Sequence, residues 1–417
     1  MSETRASIIR FAVATAVIAA CLVSMNYAAS FGLSKILGRG SVYTNSLPAA
    51  DNAVALTPAD PEAHQARAIL LGRTGRTAEA VREMEIAVSL RPQDDYLWLE
   101  VGNLRDDNRD QASALAAFDN AVRLAPHYGH THWQRGNLLV RLGRYEEAFA
   151  ELRMAASYNR EFLPSLIDLA WGISRGEPKT TERLVQFNDE KTRLALARFY
   201  ALHGKGAEAL DQLHELRTIG EDARADLVRS LIQTKAYAAA FELWKNSAGN
   251  STPKFSIQNS SFEQDLTFDD VGFGWQLLRH DQVKPALDVN NSHEGARSLR
   301  ITFEGYDNPA VVLSQLLLVM PQRSYRVSAW ARTKDLVTGG LPILAVVDAN
   351  GGEILGTSSA FQTRDSNWTN VSFEFKAPTA SNAVYIRLQR QSCSSSPCPI
   401  FGHVWLDAFE LQELTAK

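Results

Sequence analysis

Near the C-terminus Tyr385, Arg387 and Gln389 alternate with Val384, Ile386 and Leu388. In an extended strand a period of two places the ring, the guanidinium and the amide on one sheet face and the aliphatic side chains on the other. Flat rings stack on pyranose faces while guanidinium, amide and carboxylate groups bind hydroxyls, so the trio has the makings of a saccharide surface. It suits an ordinary solvated face equally well. Trp275, Tyr306 and Trp330 enlarge the inventory, together with Phe361, Trp368 and Trp405. Trp275 falls between two loop-like segments and Trp368 begins a strand, positions where a ring also serves as a core plug or rim brace.

No glycine-rich nucleotide loop, Gly-x-Ser-x-Gly elbow, His-Glu-x-x-His helix or closely spaced set of metal-binding cysteines occurs in the 417 residues. Asp106-Asp107 and Asp269-Asp270 are adjacent in turn-like segments, whereas the two carboxylates of glycoside hydrolysis face a substrate cleft. The chain is expected not to be an enzyme, a polysaccharide-processing enzyme being the alternative. With 43 basic and 47 acidic residues the net charge is −4, so no bulk positive field favours nucleic acid.

These side chains must be positioned by more than one core, because a chain of this length exceeds what a single core fills. From Phe11 to Met25 there is no charge, and the weakly polar run continues past Asn26 to Leu33. At about 1.5 Å per residue such a helix crosses a hydrocarbon layer of roughly 30 Å. Arg5 and Arg10 precede it, and Lys35 and Arg39 follow, so charge barely selects an orientation. Ile18-Ala19-Ala20-Cys21 resembles a bacterial lipoprotein cleavage box with Cys21 as the acylated residue. The apolar run continuing past Cys21 favours an uncleaved anchor over the lipoprotein or ordinary cleavage. Cys393 and Cys398 bracket a short polar loop that a disulfide would staple in an oxidising compartment; the alternative is two unrelated surface thiols. Pairing and export support one another, which places the body outside the cytoplasm.

Pro58, Pro92 and Pro126 fall 34 residues apart, as do Leu56, Leu90 and Leu124, and Ala53, Ala87, Ala121 and Ala155. Ala80, Ala114 and Ala148 share a small-residue position where two helices can approach closely; Met84, Phe118 and Leu152 share a bulky one that fills the gap between hairpins. The period and the segment Leu142-Gly143-Arg144-Tyr145-Glu146-Glu147-Ala148 closely resemble the tetratricopeptide family. His64 and His132 stand where Trp98 stands, and Arg109 replaces the turn glycine found at Gly75 and Gly143. Three repeats run from Pro61 to about Arg160, and Asn45 to Pro58 looks like the second helix of a degenerate one before them. Apolar spacing stays helical over Leu166–Trp171, Leu194–His203, Ala207–Leu216, Ala225–Thr234 and Ala238–Trp244, with a break at Gly176 to Thr181. The concave side of such an array holds a peptide or a partner helix, so a protein partner is expected there. His64, Trp98 and His132 read as packing residues.

After a Ser-, Asn- and Gly-rich stretch the period becomes alternating. Strands are predicted over Arg297–Phe303, Val311–Val319, Tyr325–Thr333, Ile343–Asp348, Thr369–Lys376, Ala383–Arg390 and His403–Gln412, forming a two-sheet antiparallel sandwich. Within Tyr325–Thr333, Tyr325, Val327, Ala329 and Ala331 suit the inner face. Asn259-Ser260-Ser261-Phe262-Glu263, Trp275, His293-Glu294-Gly295-Ala296-Arg297-Ser298-Leu299, Tyr325 to Trp330, Asn367-Trp368-Thr369 and Val404-Trp405-Leu406-Asp407 occur in that order. In that order they resemble the jelly-roll carbohydrate-binding modules of bacterial glycanases. The resemblance implies a structural calcium at Glu263, the backbone around Arg297, and Asp407. A sandwich's opening segment and closing strand can supply such oxygen ligands from distant positions.

The fold expected is therefore multidomain, α plus all-β. Residues 1–36 are an N-terminal transmembrane helix or signal segment, 37–245 an α-helical tetratricopeptide solenoid, 246–254 a linker and 255–417 a β-sandwich jelly roll. The function expected is a non-catalytic bacterial protein held in the cytoplasmic membrane by one N-terminal helix, its body on the extracytoplasmic side. It would bind or organise envelope polysaccharide through the sandwich and a protein through the repeats. A structural scaffold with no sugar binding is the alternative.

Overall fold

The computed structural model describes residues 2–248, 254–266, 271–307, 311–363, 365–393 and 396–414. Their contacts form two compact units, Met1–Phe187 and Asn188–Lys417. The first unit is helical: α1 (Ser2–Thr44), α2 (Leu47–Leu56), α3 (Pro61–Arg73), α4 (Thr77–Leu90), α5 (Asp95–Asp107), α6 (Gln111–Leu124), α7 (Gly129–Arg141), α8 (Tyr145–Tyr158), α9 (Leu163–Ile173) and α10 (Pro178–Val185).

Helices α3 to α8 form three hairpins that repeat the 34-residue sequence period. Asp60 and Asp94 start α3 and α5 by accepting hydrogen bonds from the amides of Glu62 and Leu97. The turns inside the hairpins need a left-handed residue, Gly75 and Gly143 in two of them, and Arg109 takes the same conformation at φ +64° in the third. Ala80, Ala114 and Ala148 are each 0% exposed at the helix crossings, with Met84, Phe118 and Leu152 buried beside them. A Cβ placed on Gly136 would stand 2.7 Å from Leu152 Cγ, and one on Gly102 would collide with the Phe118 ring. The approach of the paired helices therefore depends on what these residues lack.

His64, Trp98 and His132 make one shared contact. Each ring bonds the carbonyl of the proline six residues earlier: His64 Nε2 to Pro58, Trp98 Nε1 to Pro92 and His132 Nε2 to Pro126, all at 2.9 Å. Beyond that contact the repeats alternate. His64 Nδ1 meets Glu83 at 2.7 Å, and Glu83 pairs with Arg67, which reaches Asp51. Sixty-eight residues on, His132, Glu151, Arg135 and Asp119 make the same chain. In the hairpin between them, Trp98, Val101 and Ala117 pack in an apolar cluster with Met84 and Leu97.

Helix α1 runs beyond the expected segment 1–36 at its C-terminal end. From Val13 to Thr44 it is long and apolar enough to cross a membrane and its apolar window is not buried, which suits either a signal sequence or a single anchor. Cys21 is exposed on it, mid-helix. Directly after Leu33 the same helix enters the packed region: Ser34 is fully buried and donates to the Ala53 carbonyl, and Lys35 pairs with Glu62. The first hairpin is thus α1's C-terminal part with α2. At Gly176 to Thr181 the break is a turn of a few residues, with Gly176 at φ +78°, before α10 begins at Pro178. Proline at the first helical position starts a helix rather than ending one, and Glu177 caps it by accepting from the Lys179 and Thr180 amides.

Among its described residues the second unit contains four helices, α11 (Glu190–Leu202), α12 (Gly206–His214), α13 (Glu221–Gln233) and α14 (Tyr237–Ala248). Ten strands follow: β1 (Gln276–Leu277), β2 (Val283–Asp288), β3 (Ser298–Tyr306), β4 (Leu313–Leu318), β5 (Ser324–Thr338), β6 (Pro342–Asp348), β7 (Ile354–Thr357), β8 (Thr369–Lys376), β9 (Ala383–Arg390) and β10 (Ile400–Leu414). The division at Phe187/Asn188 differs from the boundary expected at 246–254. Helix α14 runs to Ala248, residues 249–253 of that linker lie outside the described residues, and so do Asp269 and Asp270.

The strands make two five-stranded antiparallel sheets, sheet A in the order β1-β4-β9-β6-β7 and sheet B in the order β2-β3-β10-β5-β8. One core lies between them, with Leu313, Leu317, Leu344, Val346, Ile386 and Leu388 facing inward from sheet A. Tyr325, Val327, Ala329 and Ala331 face inward from sheet B. Sequence alternation did not mark β1, β2 or β7. Strand β2 carries Pro285 and sits at a sheet edge, where a missing donor is tolerated.

Two measurements test the helical packing. Ala114→Leu or Ala148→Leu should lower stability by about 1–3 kcal/mol through overpacking; a melting temperature unchanged in both variants would refute the crossing assignment. The second concerns His132, whose pKa is raised first by its hydrogen bond to Glu151, against burial and the nearby Arg135. A histidine raised in the folded state contributes stability that is complete below its unfolded value of roughly 6.5 and is lost as pH rises through the folded one. Denaturant titrations at about pH 6 and about pH 8 should show the parent losing more stability across that interval than His132→Gln.

Candidate functional site

Tyr385, Arg387 and Gln389 do share the outer face of sheet A, on its central strand β9, and each is half-buried. Their surroundings differ from an open platform. Leu316 and Leu318 on β4, and Ala345 and Val347 on β6, alternate with core residues and so point outward, yet they are only 0–3% exposed. Helix α14 lies against this face. The Tyr237 hydroxyl donates to the Ala349 carbonyl at 3.1 Å, and Lys235, just before the helix, donates to the Asn350 carbonyl at 3.1 Å. Trp244, two turns further along, rests on Gly272 and Phe273, ahead of edge strand β1. Helix α14 is thus tied to the segment after β6 at its start and to the segment before β1 seven residues later. Burial, then the neighbouring Tyr385 and Asp348, push the Tyr237 hydroxyl pKa up to about 12.

The Tyr385 ring is therefore not a free stacking surface. The Arg387 guanidinium lies over it at 4.8 Å, and burial raises its own hydroxyl pKa. Beside Tyr385, however, the strand register aligns one residue from each strand: Gln276 pairs with Ser314, Ser314 with Arg387, Arg387 with Ala345 and Ala345 with Thr357. Directly paired residues point to the same side, so this row crosses all five strands. Gln276 and Thr357 are exposed, Ser314 and Arg387 half-buried. Among the described residues, no hydrogen bond or ion pair engages the side chains of Gln276, Ser314, Arg387, Thr357 or the neighbouring Gln389. Amides, hydroxyls and one guanidinium thus stand without hydrogen-bonding partners among the described residues on either side of Ala345, which is itself fully buried.

The other expected ring positions are filled by packing. Trp275 is 4% exposed, donates from Nε1 to the Asn259 carbonyl and packs on Phe262 and Phe409. Tyr306 is 1% exposed within the sandwich core. Both belong to the core rather than to a surface. Trp330, on the outer face of sheet B, is covered by the His293 ring stacked on it at 3.8 Å. His293 belongs to a loop, 289–297, held down along its length: Asn291 accepts from Arg332, and Asp288, where the loop starts, accepts from Trp405 Nε1.

The three residues assigned to calcium hold this same loop. Asp407 is fully buried, and its Oδ2 accepts from the amides of His293 and Glu294 while Oδ1 accepts from Ala408. Burial raises its pKa, and those amides oppose the rise. Glu263 Oε1 accepts from the amides of Ala296 and Arg297, and the Arg297 guanidinium bonds the Glu263 carbonyl and pairs with Asp265. Calcium takes six to eight oxygens. Here two carboxylates are turned to N–H donors, a guanidinium stands beside them, and no cluster of three or more His, Cys, Asp or Glu occurs among the described residues. As arranged, the set does not fit calcium. At the far end of the domain Cys393 and Cys398 are joined in a disulfide, beside which Arg390 donates to the Cys398 carbonyl at 2.8 Å.

Residues 255–397 match the family model of a carbohydrate binding domain. A curated relative, Protein FlbA of Caulobacter vibrioides, is 29% identical over 98 residues, which are 24% of this chain and 16% of that protein's length. Similar solved structures include one described as "CBM4 structure and function", at 11% identity and TM-score 0.29, covering 38% of this chain and all of the other. Pseudomonas aeruginosa pilF is similar at 13% identity and TM-score 0.31, over 55% and 94% of the two chains. YrrB, described as a TPR protein with an unusual peptide-binding site, is similar at 20% identity and TM-score 0.27, over 49% and 93%. The C-terminal module is thus a carbohydrate-binding-like two-sheet sandwich, a binding and not a catalytic type of domain, preceded by helical repeats.

Asp407→Asn should lower the melting temperature, because a buried acceptor that loses charge-assisted hydrogen bonds costs about 1–3 kcal/mol. The parent should melt alike in calcium and in chelator. A rise in melting temperature on adding calcium, absent in Asp407→Asn, would restore the metal to the site.

Proposed function

We propose that this chain is a non-catalytic, membrane-anchored protein that holds polysaccharide on the polar row of sheet A and a protein partner on its helical repeats. The observation that carries the reading is the row itself: four of the five strands in sheet A of a carbohydrate-binding-like sandwich contribute hydrogen-bonding side chains that bond no other group among the described residues. Polar groups left half-buried and unpaired are costly unless water or a ligand satisfies them. With Tyr385 beneath Arg387, binding is carried by hydrogen bonds more than by ring stacking. An open row buries little of a ligand, so affinity per site is low.

The repeats are best read as tetratricopeptide hairpins, since the small-residue crossings, the left-handed turns and the proline spacing recur together over three hairpins. Such hairpins bind peptides or helices on their concave side. The bare apolar stretch of α1 supports an anchor in the cytoplasmic membrane. The Cys393–Cys398 disulfide supports a body on its oxidising, envelope side. One observation favours the second reading, a scaffold without sugar binding: α14 already covers the Tyr385 end of the sheet.

Affinity electrophoresis of the full-length chain, in detergent, through gels containing bacterial or plant polysaccharides tests the proposal. Retardation by at least one polymer is expected, weakened several-fold in Arg387→Ala, whose guanidinium makes no hydrogen bond that the fold needs. Absence of retardation across a broad panel, with the chain folded, would leave the scaffold reading.

A further inference from the structure

At the end of β9, Arg390 is only 7% exposed and carries its charge into the sandwich. Its donors meet neutral acceptors. Nε bonds the Gly340 carbonyl at 3.2 Å and Nη1 the Tyr306 carbonyl at 3.3 Å, while Nη2 bonds Thr338 Oγ1 at 2.7 Å and the Cys398 carbonyl at 2.8 Å. Burial lowers the guanidinium pKa, against the nearby Tyr306 and Asp307. Asp307 is exposed, and among the described residues no carboxylate forms an ion pair with Arg390. The same Nη2 stands 3.2 Å from Cys398 Sγ and 3.7 Å from Cys393 Sγ. Two glycines let the sulfurs settle there: a Cβ on Gly339 would stand 3.2 Å from Cys398 Sγ, and one on Gly340 2.7 Å from Cys393 Sγ. Both cysteines are half-buried.

The fold thus buries a cation and sets a disulfide beside it. An uncompensated buried charge is costly, and reduction of the disulfide supplies the anion that Arg390 lacks. We propose that Cys393–Cys398 is a thiol–disulfide exchange site, Arg390 being the group that stabilises the thiolate released on Cys398. An incoming thiolate attacks Cys393 Sγ, the S–S bond breaks, and its electron pair leaves on Cys398 Sγ, the sulfur nearer the guanidinium. A second thiolate then attacks the incoming sulfur of the mixed disulfide, which releases an external disulfide and leaves a thiolate on Cys393. Two external thiols are oxidised, the protein pair gains two electrons, and the Cys393 thiolate takes a proton from solvent. The co-reactant is a thiol in one direction and a disulfide in the other. A thiolate leaves faster the lower its pKa, and a basic neighbour lowers it; a stabilised reduced form also makes the disulfide more oxidising. The site is separate from the polar row and from the repeats, since none of its residues belongs to either.

Glutathione is the probe, on the full-length chain in detergent with the other thiol removed by Cys21→Ser. Alkylation mass shift reads the reduced fraction of the pair across a series of ratios of reduced to oxidised glutathione. The parent pair is expected to pass from oxidised to reduced within the series. Arg390→Gln should need a several-fold more reducing ratio, and Arg390→Lys, which keeps the charge, should lie between the two. Because Arg390 also ties the Gly340, Tyr306 and Cys398 carbonyls, a second variant leaves it in place. Cys393→Ser frees the Cys398 thiol, whose rate of alkylation by iodoacetamide is followed against pH. In the folded chain that rate should reach half its maximum about one pH unit or more below the same variant unfolded in urea. The proposal is overturned if the parent pair stays oxidised throughout the series, or if folded Arg390→Gln is half-reduced at the same ratio as the parent. A Cys398 thiol that titrates in the folded chain at or above its pH in urea overturns it equally, and decides alone should Arg390→Gln not fold. Retardation by polysaccharide is untouched by any of these results.

Discussion

The apolar outer face of sheet A is the constraint on which the second unit depends. A two-sheet sandwich normally needs only its inner faces covered, but Leu316, Leu318, Ala345 and Val347 make the outside of sheet A apolar as well. Leaving such surface in water costs about 25 cal/mol per Å², and the burial of these four side chains shows that it is covered. Tyr237 and Lys235 fix the start of α14 to the carbonyls that end β6, and Trp244 fixes its end on Gly272 and Phe273. The last helices therefore group with the strands, and the uncovered part of the outer face is reduced to the polar positions on either side of the buried Ala345.

In the first unit the constraint is how closely two helices can lie. Alanines at the crossings and glycines at 102 and 136 let the partners' bulky side chains fill the space that a larger residue would occupy. Around this fixed spacing the side-chain chemistry is free to vary. His64 and His132 join an Asp–Arg–Glu chain, while Trp98 at the same position packs in an apolar cluster, and all three close the same bond to a proline carbonyl. The geometry is thus held by the backbone contact, and the polar chain is one of two ways to fill what remains. Replacing a partly buried ion-pair network with well-packed apolar groups is energetically workable, which is why both occur in one molecule.

What could be read from the sequence follows the same division. The hairpins were legible because each contact recurs every 34 residues, and a repeated contact shows itself without a structure. The long strands were legible from alternation, and Tyr325, Val327, Ala329 and Ala331 face inward as their pattern implies. Strands β1 and β7 span two and four residues, too few for a period to register, and without them the row from Gln276 to Thr357 could not be drawn. Composition suggests a boundary at the Ser- and Asn-rich stretch, while the chain's contacts group Asn188 onward with the strands. For the rings, sequence supplied an inventory but not burial: Trp275 and Tyr306 proved to be core, and Trp330 lies under His293.

The two outer faces of the sandwich complete the argument about its chemistry. On sheet B the loop 289–297 is drawn down by Asp407 and Glu263 through backbone amides, and its His293 closes over Trp330. The rings and acids there are consumed in holding the protein's own chain. On sheet A the ring is covered by a guanidinium, and what remains unpaired is a line of amides, hydroxyls and Arg387. Recognition by such a line depends on many weak, directional bonds, each exchanged against water with a small net gain. On the proposed function, such a line would favour a long, repeating, hydroxyl-rich polymer over a compact ligand, because only repetition along the row accumulates enough of those bonds to offset the cost of association. On the proposed reading of α1 as an anchor, chains fixed in one surface would present many such rows to the same polymer, and avidity would do what a single open site does not.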